Sequence, residues 1–83
     1  MNINQLYKGL IKRGLNARMV TLYNRDGIEG EQPAIMVDHD YTGYYPSRDA
    51  LNAHETTCNF ARRHGYKTEP RGCYSATLIW GGN

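Results

Sequence analysis

Lys12-Arg13-Gly14-Leu15, and again Arg63-His64-Gly65-Tyr66, end two amphipathic stretches in the same way: two basic residues, a glycine, then a large apolar side chain. Glycine takes the left-handed conformation that closes a helix. Cations suit the carbonyl end of the helix dipole, and the apolar residue folds back on the last turn. The pair predicts two helices with marked ends, each delivering the chain into a strand.

Upstream of the first stop, Asn2 is placed to cap, and Gln5 three residues later completes a capping box with Asn in place of Ser or Thr. Ile3, Leu6, Tyr7, Leu10 and Ile11 then form one apolar stripe at helical spacing. Gly9 lies inside this helix and costs it about 1 kcal/mol relative to Ala, which predicts close packing against another backbone there. Upstream of the second stop, Ser47 follows Pro46 as a cap, with Asp49 in the first turn. The wheel of this helix gathers Ala50, Leu51, Ala53, His54, Thr57, Cys58 and Ala61 on one face, opposite Arg48, Asn52, Glu55, Thr56, Asn59, Arg62 and Arg63. Such small residues let the helix lie close to a sheet, with Phe60 filling the flank.

Between the helices, residues 18–24 alternate, with Val20 and Leu22 on one side and Met19, Thr21 and Tyr23 on the other. A two-residue hairpin at Asp26-Gly27 would set Val20 opposite Pro33 and Leu22 opposite Glu31. Pairing Val20 with Val37 and Leu22 with Ile35 instead keeps four apolar side chains together and makes 25–32 a long exposed loop. Pro33 then opens the return strand, where its missing donor matters least. Residues 38–46 are polar and aromatic, either a strand extension with a glycine bulge or an ordered loop. After Gly65, residues 66–69 form at most a short strand, Pro70-Arg71-Gly72 reads as a turn, and 73–80 is the best strand in the chain. Tyr74, Ala76, Leu78 and Trp80 are taken as its core face, against Cys73, Ser75, Thr77 and Ile79.

These elements make one α+β domain over residues 1–83, in the order α-β-β-α-β, with an antiparallel three-stranded sheet and both helices on one face. The other face, with Thr21, Tyr23, Ser75 and Thr77, is left wet as a flat surface for a partner. A strand edge, that of 33–39 or of the last strand, is a further place for a partner's strand.

A chain of 83 residues removes only about 60–65% of its unfolded surface from water, so it builds one modest core. Ten basic and eight acidic residues leave a net charge of +2, mild for a protein whose main task is holding a polyanion. No basic region followed by a long apolar run opens the chain, and no stretch approaches the ~18 apolar residues that cross a bilayer. A cytoplasmic protein without membrane contact is expected, with Cys58 and Cys73 reduced.

His54 and Cys58 share a helix face at i, i+4, and Cys73 approaches from the last strand, a set one ligand short of a zinc site. Asp38 and Asp40 flank His39, and two carboxylates alone hold a hard cation weakly; such residues more often mark a polar exit from a sheet. No glycine loop carries a following Lys-Ser or Lys-Thr for phosphate. By elimination, the expectation is a non-enzymatic protein without cofactor or metal: an inhibitor or accessory factor that docks on a protein partner. Its surface would be Tyr41, Tyr44, Tyr45 and Arg48 together with Arg62, Arg63, Lys67 and Arg71, since Tyr and Arg dominate interface centres. The alternative is a nucleic-acid-binding module using the same basic helix and tyrosine segment to grip phosphate and stack bases. A third reading, a metal- or thiol-dependent enzyme, would rest on His54, Cys58 and Cys73.

Overall fold

The computed structural model describes residues 1–40 and 47–81. Along the chain come α1 (Ile3–Lys12), β1 (Asn16–Tyr23), β2 (Glu31–Asp38), α2 (Arg48–Arg63), β3 (Tyr66–Arg71) and β4 (Ala76–Gly81). The strands form one antiparallel sheet in the order β1-β2-β4-β3. β2 and β3 therefore run parallel to each other with β4 between them, a split β-α-β unit whose crossover is α2.

Both helices begin and end as their sequences dictate. Asn2 Oδ1 accepts from the Gln5 N–H at 2.9 Å while Gln5 Oε1 accepts from the Asn2 N–H at 2.9 Å, the reciprocal capping box. At the other end Gly14 has φ +81°. Its N–H bonds Ile11 O at 2.9 Å, and the Leu15 N–H bonds Leu10 O at 3.2 Å, which together make a Schellman motif. Gly65, with φ +85°, donates to Arg62 O at 3.0 Å in the same role. Ser47 Oγ accepts from the Ala50 N–H at 3.0 Å and opens α2. Gly9 is crowded by a side chain where backbone was expected: a Cβ there would come within 2.9 Å of Phe60 Cζ.

The sheet has four strands and not three, so the expected order α-β-β-α-β is corrected to α-β-β-α-β-β. Residues 66–71 form a full edge strand, which tolerates Pro70 because an edge has one side without a neighbour. The last strand starts at Ala76, three residues later than its alternation suggests. Gly72, Cys73 and Tyr74 all take left-handed φ values, 46°, 50° and 66°, and the Ser75 N–H closes the turn on Gly72 O at 2.8 Å.

The β1–β2 register also departs from both hairpins considered above. Val20 pairs with Ala34 and Leu22 with Gln32, while Ala17 pairs with Val37 and Met19 with Ile35. The reason lies in the faces. Cross-strand partners share a face, and Ala17, Ile35, Val37, Ile79 and Tyr66 lie under the helices with Leu6, Leu10, Phe60 and Ala61. Val20, Leu22 and Met36 turn the other way, around a second cluster of Ala34, Leu78 and Trp80. The assignment of Leu78 and Trp80 to the helix side and Thr77 and Ile79 to the open side is thereby reversed. The face that was to be wet carries an apolar strip.

Part of that strip is roofed by the β1–β2 loop, which is shorter than 25–32 and folds across the sheet. Arg25 lies 4.3 Å from the centre of the Trp80 ring and pairs with Glu69 at 2.9 Å. Asp26 accepts from Trp80 Nε1 at 2.7 Å and from Lys67 Nζ at 2.9 Å. Those two donors, the indole first, hold the Asp26 carboxyl below the ordinary carboxylate value. Among the described residues no helix is long and apolar enough to cross a membrane.

Candidate functional site

Where β2 leaves the sheet, four polar groups meet under α2. β2 brings His39, β4 brings Thr77, and α2 brings His54 and, one turn on, Cys58. Thr77 Oγ1 lies 2.7 Å from His39 Nε2 and 2.7 Å from His54 Nδ1. Cys58 Sγ lies 3.4 Å from His54 Nε2. A hydroxyl has one proton to give. At least one imidazole must therefore donate to Thr77, and the tautomers of the two rings are interlocked through a single oxygen.

Thr77 is fully buried and His54 nearly so, and the Tyr74 ring sits 4.8 Å from that of His54. Burial holds both imidazoles below the ordinary histidine value, reinforced by His54 at His39 and by Arg62 at His54. The cluster can relay a proton between neutral rings, but Cys58 is 3% exposed, which closes the thiol to a substrate. Cys73 lies exposed in the left-handed turn. Among the described residues no three His, Cys, Asp or Glu side chains converge to hold a metal ion. Pairing on one helix face makes His54–Cys58 legible from sequence; His39 is legible only as a neighbour of Asp38 and Asp40, and Thr77 escapes because the last strand's alternation assigns it to the open face.

The described residues of the expected partner surface lie on two elements, α2 and β3. Tyr41, Tyr44 and Tyr45 lie outside the described residues. Arg48 starts α2 and Arg62 and Arg63 end it, about 21 Å apart at the helical rise per residue. Lys67 and Arg71 lie on β3, Lys67 paired with Asp26 at 2.9 Å and Arg71 with Glu69 at 3.5 Å. Two other features stand out in their place. Both helix C-caps, Arg13 and His64, pack on the ring of Phe60, the guanidinium carbon 3.9 Å and the imidazole 5.0 Å from its centre.

The second feature is the edge at β1. The strands expected to offer an edge, β2 and β4, are the two inner ones, and the edges are β1 and β3. β3 is short, and Lys67, Glu69, Pro70 and Arg71 guard it. β1 has eight residues, no proline and a single charge, Arg18. The Asn24 N–H bonds Gly30 O at 3.0 Å and sets the phase of the ladder, so Met19, Thr21 and Tyr23 turn their N–H and C=O groups outward. Their side chains are exposed as well, Tyr23 by 64%. The chain matches no protein-family model, no curated protein and no solved structure.

Proposed function

We propose that the protein is a small non-enzymatic binding protein, an inhibitor or accessory factor, that docks on a protein partner by accepting a strand along β1. The observation that carries this reading is the unguarded edge. A row of outward backbone groups at Met19, Thr21 and Tyr23 is a template for strand addition, and the half-buried Val20 and Leu22 beside it offer side-chain contact on the open face. Main-chain bonds supply the affinity in this mode, and alternate side chains supply the selectivity.

The test uses Thr21→Pro, which deletes one outward donor without touching a β1–β2 hydrogen bond, and Thr21→Lys, which guards the edge with a charge. Immobilised wild-type protein is expected to retain a partner from host lysate that both variants, folded by circular dichroism, release. In the complex the amides of Met19, Thr21 and Tyr23 should become protected from hydrogen exchange. Retention of the same partner by both variants would place the docking surface elsewhere.

A further inference from the structure

A different surface, independent of the β1 edge, gathers cations at the ends of the two helices. Residues 1–25 hold five of the ten cations, Lys8, Lys12, Arg13, Arg18 and Arg25, and no acid, and residues 56–68 add Arg62, Arg63 and Lys67, again with no acid. The fold joins the ends of these two stretches at Phe60, where Arg13 from the close of α1 and His64 from the close of α2 touch the same ring. Lys12 and Arg63 stand next to them in the chain, exposed, and neither forms an ion pair or hydrogen bond among the described residues. By contrast three cations of the open face, Arg25, Lys67 and Arg71, pair with Asp26 or Glu69.

We propose that this collar of Lys12, Arg13, Arg63 and His64 binds single-stranded nucleic acid. Charge alone would suit any polyanion; the stacking points to nucleic acid. The Arg13 guanidinium carbon lies over the Phe60 ring, 3.9 Å from its centre, and Nη1 donates to Gly9 O at 3.3 Å, yet the residue remains exposed. The planar guanidinium gives a base a cation to stack on, and Lys12 and Arg63, the adjoining residues at the two helix ends, are the cations to meet phosphates. A carboxylate would engage the guanidinium through its N–H edge, whereas a base uses its face.

The experiment is fluorescence anisotropy with a short labelled oligothymidylate at 50 and 200 mM salt. Kd in the range of about 10⁻⁴ to 10⁻⁶ M is expected, weakening roughly twenty-fold between the two salts if about three phosphates are neutralised. Lys12→Gln with Arg63→Gln should flatten the salt dependence to about a third of its slope. Arg13→Lys keeps the charge and loses the plane, so it should weaken binding at least about five-fold while leaving the slope unchanged. Thr21→Pro should bind the oligonucleotide like wild type, which separates this site from the strand edge. No binding, full binding by the Lys12/Arg63 variant, loss in Thr21→Pro, or displacement by polyglutamate at equal charge concentration would each overturn the proposal.

Discussion

Thr77 shows how much one oxygen can hold. It sits at 0% exposure between two imidazoles, so Thr77→Val removes no volume but takes the hydroxyl from His39 Nε2 and from His54 Nδ1, leaving the latter only the Cys58 sulfur at 3.7 Å. The cost should be about 2–4 kcal/mol in urea unfolding, whereas Thr77→Ser, which keeps the hydroxyl, should lose only about 1 kcal/mol for the methyl group. The same site sets a pH dependence. Both histidines are depressed in the folded state, so below about 6.5 the unfolded chain binds more protons than the folded one. Stability is therefore full above that value and falls as acidification proceeds through the folded-state values. Asp38 and Asp40 face His39, and Arg62 and Glu55 face His54 along its helix; only the carboxylates oppose the trend. Urea midpoints measured from pH 7.5 to 5.5 should decline for the wild type and stay level when both His39 and His54 are replaced by Gln.

At the level of elements, the helices were legible in the sequence almost to the residue, because caps, glycine stops and a 3.6 period are local signals. The sheet was legible only in class, since pairing depends on which apolar residues face which layer. Ala34-Ile35-Met36-Val37 and Leu78-Ile79-Trp80 are unbroken apolar runs, the mark of strands covered on both faces. Assuming one buried face forced Val20 and Leu22 toward the helices and displaced the register. The second layer comes from the β1–β2 loop, whose Arg25 and Asp26 reach across to Trp80, Lys67 and Glu69, and nothing local in a Asn-Arg-Asp-Gly turn announces that reach. Trp80→Phe keeps the ring under Arg25 and deletes the indole donor to Asp26. It should cost about 1–2 kcal/mol and speed proteolytic nicking of the loop around Gly27, read by mass spectrometry of limited digests. The candidate site was half legible for the same reason: His54 and Cys58 share a helix, while Thr77 and His39 arrive through pairings between distant strands.

For the whole molecule, the order of strands in space matters more than their order in the chain. Each strand is antiparallel to its neighbours, and the inner pair, β2 and β4, comes from different hairpins. Each hairpin contributes one strand to the centre and one to the rim. Function, on the readings above, is divided accordingly: the rim strand β1 for a partner's backbone, the helix ends for phosphates, and the histidine network for holding the exit of β2. Tyr66 adds a last consequence. Its hydroxyl donates to the Met1 carbonyl at 3.0 Å, and its backbone pairs with Gly81 at the end of β4. One residue of the rim strand β3 thereby ties the segment that leads into α1 to the end of β4, so loosening either should loosen both.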